Sequence, residues 1–327
     1  MKIVIYGAGA IGGWMGVKLA QAGHEVGIVA RGTALSALRE QGLSLIEGGL
    51  TQTVRVEASE DPADLGAQDL VVVAVKAPAM ASVAAHIAPL LGPQTVVLTA
   101  MNGVPWWFCD GLGRDFAGQR LKSVDADGAI AAAIPTGQTV GCVVHASCRV
   151  EAPAVIRHHQ GNGLIVGEAS GHASERVAAL TATLAAAGFD ATMSAQIQRD
   201  VWYKLWGNMT MNPVSAITGA TTDRILGDEL VRGFVTSVML EAKEIGARFG
   251  IPIDQAPDDR HEVTLKLGAM KTSMLQDVHA GKPVELDALA GAVRELGHMT
   301  HVPTPYTDAL FGLARLHAST LGLYPGK

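Results

Sequence analysis

Short apolar runs alternate with helix-like patterns through the first half of the chain. Four of these runs predict strands: residues 3–6, 25–30, 70–75 and 95–100. The unbroken apolar run at 70–75 is typical of a strand that is buried on both faces of a sheet. The alternation of strands with helices predicts an α/β fold built on a doubly wound parallel sheet of the Rossmann type.

A hairpin and several further strands are predicted within this first half. Segments 43–46 and 53–56 flank a Gly-Gly pair, which favours a tight hairpin turn. Strand-like runs follow at residues 122–130, 139–145, 148–156 and 164–166. A helix over 174–187 closes the first predicted domain, which we expect to bind NADP and to span residues 1–194.

The second half loses these strand signals and shows helical periodicity. Helices are predicted over residues 200–212, 228–250, 258–270, 285–298 and 305–316. Between 228 and 250, apolar residues that include Leu230 recur on or near one face, which is typical of an amphipathic helix. Residues 195–327 are therefore expected to form an all-helical substrate and catalytic domain. The cleft between the two domains is the expected place for a substrate.

Composition narrows the classes of partner. The chain has 327 residues, of which 48% are hydrophobic and 17% charged, and its net charge of −6 offers no basic surface for nucleic acid. The three cysteines, Cys109, Cys142 and Cys148, lack metal-ligand spacing and suit a reducing cytosol. Since no apolar run is long enough for a bilayer and no signal peptide is evident, we expect a cytoplasmic protein without a metal site.

The first strand runs directly into a glycine-rich turn. The motif G-x-G-x-x-G is formed by Gly7, Ala8, Gly9, Ala10, Ile11 and Gly12. Between a strand and a helix, the first glycine makes a tight turn, the second lets the backbone approach a pyrophosphate, and the third lets the helix pack on the sheet. Free N–H groups at the start of the helix favour phosphate charge. The motif therefore predicts a dinucleotide site.

The end of the second predicted strand indicates which dinucleotide is bound. Sites for NAD usually carry Asp or Glu there, about 20 residues beyond the glycines, to bind the ribose 2′-OH. Here the position is held by Arg31. A guanidinium pairs with a 2′-phosphate, which a carboxylate would repel. NADP, as NADPH, is the expected cofactor; the alternative is that Arg31 is a solvated loop charge.

Polar residues also stand at positions where a ligand is expected. Lys76 and Asn102 each follow a predicted strand, although a surface cation and a turn-forming residue are the alternatives. Lys204, Asn208 and Asn212 are spaced i, i+4 and i+8, so they form one polar stripe on an otherwise apolar helix. One ammonium and two amides can bind a keto acid and protonate its developing alkoxide. The alternative is a helix face that is wetted at an interdomain groove.

Together these motifs resemble the ketopantoate reductase (2-dehydropantoate 2-reductase) family over nearly the whole chain. The matching segments are residues 7–12, 30–32, 75–77, 102–103, 204–213 and 272–277, followed by Glu285. The resemblance implies that Lys204 is the general acid. It also implies that Asn102 holds the cofactor near its nicotinamide end and that Lys76 lies at the active cleft beside the cofactor. The substrate-binding residues that it implies are Asn208, Asn212, Ser273 and Glu285.

Three other positions leave questions open. Glu241 matches a helical glutamate of the family, with no role assigned. Thr221-Thr222 stand where the best-known members have another Asn, and segment 104–108 is bulkier than expected for an enzyme dedicated to ketopantoate. These two departures leave the substrate side chain undecided.

The expected function is NADPH-dependent reduction of a 2-keto acid, 2-dehydropantoate or a related branched acid, to the 2-hydroxy acid. Hydride comes from the nicotinamide, and Lys204 donates the proton. One alternative is another β-hydroxyacid-type dehydrogenase with a different substrate. The other is a non-catalytic NADP-sensing protein, which has no need of the Lys204–Asn208–Asn212 stripe. The expected partners are the keto acid and a second copy of the chain in a homodimer.

Overall fold

The chain divides into two compact units in the computed structural model, which describes residues 1–113 and 115–324. Unit 1 comprises Met1–Met101 and Gly128–Ile197, and unit 2 comprises Asn102–Asp127 and Gln198–Lys327. The sequence placed residues 102–127 in the first domain. They group with unit 2 because they supply part of its buried core, namely Val104, Phe108, Cys109, Leu112 and Leu121.

Unit 1 is built on one mixed sheet. Among the described residues its strands are β1 (Lys2–Tyr6), β2 (Glu25–Val29), β3 (Leu43–Glu47), β4 (Leu50–Val54), β5 (Glu57–Ser59), β6 (Gln68–Val73), β7 (Leu91–Thr99), β8 (Thr139–Ala152), β9 (Val155–Glu168) and β10 (Asp190–Met193). Their order is β4-β3-β9-β8-β7-β6-β1-β2-β5, and β10 also pairs with β9. β1 lies between β2 and β6 and runs parallel to both.

The described helices follow the same division. Unit 1 contains α1 (Ala10–Gln21), α2 (Gly32–Gln41), α3 (Met80–His86), α4 (Ala129–Ala133) and α5 (Glu175–Ala186). α6 (Ile197–Thr218) begins at the last residue of unit 1 and continues into unit 2. The other helices of unit 2 are α7 (Thr222–Gly227), α8 (Glu229–Arg248), α9 (Pro257–Leu265), α10 (Ser273–His279), α11 (Ala292–Thr300) and α12 (Pro305–Thr320). A π-helical turn over Asp287–Gly291 leads directly into α11.

The structure confirms the predicted α/β class, with a Rossmann-type sheet in the N-terminal half and helices in the C-terminal half. β3 and β4 form the predicted antiparallel hairpin. The chain passes from β1 to β2 on one side and returns to β6 on the other. This reversal makes the carboxyl end of β1 the switch point at which doubly wound sheets bind their ligands.

Several predicted boundaries were wrong. Residues 122–130 form turns and the start of α4 rather than a strand, because Gly128 takes a left-handed conformation (φ 79°) and begins that helix. The strand-like runs between 139 and 166 merge into two long antiparallel strands, β8 and β9. Leu230 is 85% exposed rather than part of a buried face. The helix predicted over 200–212 is longer, since α6 spans Ile197–Thr218 and continues through Pro213.

Candidate active site

The carboxyl ends of β1, β2 and β6 meet at one edge of the sheet. The amide of Gly7, directly after β1, donates to the carbonyl of Val29 at the end of β2 at 3.2 Å. The amide of Ala74, directly after β6, donates to the carbonyl of Tyr6 at 3.1 Å. The glycine turn, Arg31 and Lys76 follow these three strands, so unit 1 brings the predicted cofactor residues to the same edge.

The three motif glycines have different reasons to lack a side chain. Gly7 has φ 110°, and a Cβ there would lie 2.7 Å from Cγ1 of Val75. A Cβ on Gly12 would lie 2.2 Å from the carbonyl oxygen of Gly7. Gly9 has an ordinary φ of −78°, and the nearest atom to its Cβ would be 3.8 Å away. The chain itself therefore requires Gly7 and Gly12, whereas the absence of a side chain at Gly9 leaves open space outside the turn.

The start of α1 offers backbone donors at this open side. Gly9 is the N-cap residue, no side chain caps the helix, and its first turn carries no acidic residue. The first N–H groups of a helix have no partner within the helix and carry the positive end of its dipole. This arrangement suits a phosphate group.

Arg31 stands at the exposed N-cap position of α2. Its guanidinium makes no hydrogen bond or ion pair with any residue in the described part of the chain. Burial raises the pKa of the Tyr6 hydroxyl, and the charge of Arg31 partly opposes that rise. The positive charge of Arg31 therefore acts at the carboxyl end of β1, beside the glycine turn.

Lys76 lies three residues beyond the end of β6 rather than directly after it. It is half-buried and precedes a short 3₁₀ turn, and its carbonyl accepts from the amide of Ala79 at 2.8 Å. The bond fixes the backbone at Lys76 against this turn. A Cβ on Gly7 would touch Val75, so the Lys76 loop also packs against the glycine turn.

The polar stripe predicted in the second half lies on α6. Lys204 and Asn208 are half-buried and Asn212 is buried. The orientation of α6 is fixed by Trp202 and Trp206 in the core of unit 2, where the indole of Trp206 donates to the carbonyl of Met239 at 2.8 Å. Since the three polar residues repeat every four positions, they lie along one side of this anchored helix.

Glu285 is buried and lies two residues before the π turn. The amide of Ala292 donates to the carbonyl of Asp287, five residues earlier, which is the bond that defines a π turn. The carbonyl of Ala288 accepts instead from the amide of Val104 at 2.8 Å. The π turn, which follows Glu285 closely, therefore offers a backbone acceptor to the segment at Val104.

Asn102 is attached to the same turn. Its neighbour Gly103 has φ 84°, and a Cβ there would lie 2.7 Å from Cβ of Ala288. The Val104–Ala288 bond follows immediately along the chain. Asn102 and Glu285 are thus both next to one short element of unit 2, although they are far apart in the sequence.

Ser273 is exposed at the first residue of α10, where Thr272 caps the helix by accepting from the amide of Leu275 at 3.2 Å. The preceding loop is held by Thr222, whose hydroxyl donates to the carbonyl of Gly268 at 2.8 Å. Thr222 is fully buried. Thr222, one of the two threonines at the position that departs from the family pattern, therefore fixes the loop leading to Ser273.

Glu241 has a structural role in the described contacts. Its carboxylate accepts from the amides of Tyr306 and Thr307 at 2.8 and 2.9 Å, and from the hydroxyl of Thr307 at 2.6 Å. These are the first amides of α12, so Glu241 caps that helix from α8. Trp106 and Trp107, the other unexplained residues, are buried.

Sequence reasoning missed Arg260 of α9. Its guanidinium lies over the ring of Tyr203 at 5.1 Å, and a Cβ on Gly207 would lie 3.0 Å from its Nε. That Nε is buried without a hydrogen bond in the described part of the chain. A glycine inside a helix is unfavourable unless something needs its space, so Gly207 was the signal that a bulky group packs there.

Cys109 and Cys148 are poor nucleophiles. Burial raises the pKa of Cys109 and of Cys148 to about 12, so both remain protonated thiols near neutral pH. Among residues 1–113 and 115–324, no group of three His, Cys, Asp or Glu side chains is arranged to hold a metal ion. Within the same described ranges, no helix has both the length and the apolar character that crossing a membrane requires.

Comparison with known proteins matches both halves of the chain to one family. Residues 3–171 match the family model described as ketopantoate reductase PanE/ApbA, and residues 196–318 match its C-terminal model. The 2-dehydropantoate 2-reductase of Mesorhizobium japonicum is 45% identical over 99% of this chain and 100% of its own.

Solved structures give the same picture. A candidate ketopantoate reductase from Ralstonia solanacearum MolK2 is 56% identical, covers 99% of both chains and has a TM-score of 0.95. D-mandelate dehydrogenase in a ternary structure with NADH and anilino(oxo)acetate has a TM-score of 0.84 over 99% of this chain, at 22% identity. The second likeness shows only that the fold is shared.

Proposed function

The chain belongs to the ketopantoate reductase family of oxidoreductases, and from this we propose that it reduces a 2-keto acid with NADPH. The proposed substrate is 2-dehydropantoate or a related branched keto acid, and the product is the 2-hydroxy acid. The observation that carries the proposal is the Lys204–Asn208–Asn212 stripe on the core-anchored helix α6.

The residues of unit 1 fit a dinucleotide with a 2′-phosphate. The open space at Gly9 and the uncapped start of α1 suit a pyrophosphate. Arg31, exposed at the N-cap of α2 without a partner among the described residues, suits the 2′-phosphate. In the proposal Lys76 and Asn102 complete the cofactor site toward the nicotinamide.

When bound, NADPH supplies the hydride that reduces the keto carbon. Lys204 donates a proton to the oxygen as negative charge develops on it, and its ammonium stabilises that charge. The amides of Asn208 and Asn212 lie one and two turns along α6 from this ammonium, so they can orient the substrate. Ser273 and Glu285 are the further substrate-binding residues of the proposal.

A related substrate is a second candidate, because Thr221-Thr222 stand where the best-known members have another Asn. The hydroxyl of Thr222 donates to the carbonyl of Gly268 at 2.8 Å, so it holds the loop before Ser273. A 2-keto acid with a side chain other than that of 2-dehydropantoate is the alternative substrate. The homodimer and the cytoplasmic location remain predictions from the sequence.

The test is oxidation of NADPH against a panel of branched and aromatic 2-keto acids that includes 2-dehydropantoate. With the best substrate, Lys204→Met should lower kcat by about 10²–10⁴-fold with the fold intact, because a methionine retains the length of the side chain without its proton. Lys243→Met is the matched control, since among the described residues the Lys243 ammonium donates to no groups but the carbonyls of Asp254 and Gln255.

The two parts of the proposal fail separately. Absence of turnover with every keto acid would remove the proposed activity. If a substrate is found and Lys204→Met turns it over with the native kcat, the protein is a reductase but Lys204 is not its general acid.

A further inference from the structure

The segment that follows α12 reaches back to the residues on either side of Glu285. The amide of Val284 donates to the carbonyl of Leu323 at 3.0 Å. The hydroxyl of Tyr324 donates to Oδ1 of Asp287 at 2.6 Å. Glu285 therefore lies between two points that this segment holds.

The hydrogen bond from Tyr324 stabilises the Asp287 carboxylate in a partly desolvated position. Burial raises the pKa of its carboxyl, and the hydrogen bond from Tyr324 and the charge of Arg315 oppose that rise. A Cβ on Gly291 would lie 3.3 Å from the same Oδ1, so the carboxylate sits close over the next turn. A half-buried carboxylate that loses its hydrogen-bond donor is left partly desolvated, which favours a shift of its side chain or backbone.

Asp287 is also the first residue of the π turn. A π turn contains one residue more than an α turn, and one residue corresponds to a rotation of about 100° around the helix axis. The carbonyl of Glu285 accepts from the amide of Leu289 within this turn at 3.2 Å, so the backbone at Glu285 is joined to the π turn and a change in the turn also changes the direction in which Glu285 faces. The π bond is made by the carbonyl of Asp287 itself.

We propose that Tyr324 is a positioning residue for Glu285: by holding Asp287 at the start of the π turn, it sets the direction of the Glu285 carboxylate toward the substrate. Leu323 fixes the other side through Val284 and is itself buried in the core of unit 2. The inference rests on the proposed function, in which Glu285 binds the keto acid. Tyr324 does not touch the substrate in this arrangement.

The experiment compares Tyr324→Phe with the native protein in steady-state kinetics. The variant keeps the ring, which packs on the core of unit 2, and removes only the hydroxyl. The KM for the best keto acid should rise about tenfold, which corresponds to about 1.4 kcal/mol, while the Kd for NADPH stays within twofold. A general loss of stability would not produce this selective change in KM.

Two further variants make the result specific. Tyr306→Phe is the control, because the hydroxyl of Tyr306 has no hydrogen-bond partner among the described residues, and it should leave the KM unchanged. Asp287→Asn keeps an acceptor for Tyr324 and should raise the KM less than Asp287→Ala does.

Native KM in Tyr324→Phe, with Glu285→Gln clearly impaired, would overturn the positioning role and leave the proposed function standing. An equal effect of Asp287→Asn and Asp287→Ala would also count against it. If Glu285→Gln has native kinetics, the error lies instead in the proposed role of Glu285.

Discussion

The contacts of Arg31 leave its guanidinium available for a ligand. Its guanidinium is exposed, has no hydrogen-bond or ion-pair partner in the described ranges, and acts on the carboxyl end of β1 through its effect on Tyr6. Arg31→Ala should weaken NADPH binding by about 1.5–3 kcal/mol, the scale of a hydrogen bond to a charged group, and leave NADH nearly unchanged. Titration of both cofactors by calorimetry measures the difference.

Arg39 provides the matched control for that experiment. It lies on the same helix and donates through Nε to the carbonyl of Ala58 at 3.1 Å. Arg39→Ala should not change the preference between the two cofactors. Equal affinity of the native protein for NADPH and NADH would show that Arg31 does not select the 2′-phosphate.

Residue identity predicted some of these sites better than others. The spacing of Gly7, Gly9 and Gly12 was enough to predict a turn, because Gly7 and Gly12 each answer a local backbone requirement. The bond between Asp287 and Tyr324 could not be predicted, since it joins distant segments and leaves no periodic trace. Arg260 was missed for the same reason: its contact with Gly207 depends on how α9 packs against α6.

At the scale of elements, the N-terminus of α12 depends on a side chain from another helix. Its own N-cap residue, Thr304, makes no side-chain capping bond, and Glu241 of α8 supplies the acceptors instead. Glu241→Ala should lower the free energy of unfolding by about 1–2 kcal/mol, because it leaves helix-terminal amides without an acceptor. Chemical denaturation measures this loss, and kcat/KM should stay near the native value.

Glu244→Ala on the same helix is the control for Glu241. Glu244 forms an exposed pair with Arg248 at 2.8 Å, a type of pair that contributes little to stability. A fall in kcat/KM for Glu241→Ala without a loss of stability would mean that Glu241 takes part in the chemistry rather than in capping.

Elements with a strong local signal were predicted, and those shaped by their neighbours were not. β1 and β6 are apolar because both of their faces are covered, so the sequence shows them directly. β8 and β9 were seen only in pieces, since their ends are exposed and their pairing is irregular. The π turn has no sequence signature, and the prediction ran one regular helix from residue 285 through it.

At the scale of the whole molecule, the alternation of patterns was enough to predict the class of fold but not the division into units. Residues 102–127 follow a Rossmann strand in the chain, yet Val104 and Phe108 are buried with helical residues of unit 2. Membership of a core depends on packing between distant segments, which local periodicity does not contain. The motifs that indicated the family could be recognised in the sequence, because they mark short turns and single helix faces.

The glycine turn allows folding and ligand binding to be separated in a measurement on the whole molecule. Gly12→Ala should lower the stability of the protein without cofactor by at least about 1–3 kcal/mol, because its Cβ would meet the carbonyl of Gly7 at 2.2 Å. Gly9→Ala has an allowed φ and no close neighbour, so the same stability should change by less than about 1 kcal/mol.

For Gly9→Ala, the effect should appear instead in the stabilisation that NADPH provides. A ligand that binds only the folded state stabilises it by about 2.7 kcal/mol at a hundred times its Kd, so NADPH should raise the Tm of the native protein. Gly9→Ala should lose most of this rise, because its methyl group would occupy the space that the proposal gives to the pyrophosphate. Thermal unfolding with and without NADPH measures both effects. A full NADPH-induced rise in Gly9→Ala would mean that the dinucleotide does not approach the turn at Gly9, and the cofactor site would have to lie elsewhere in the chain.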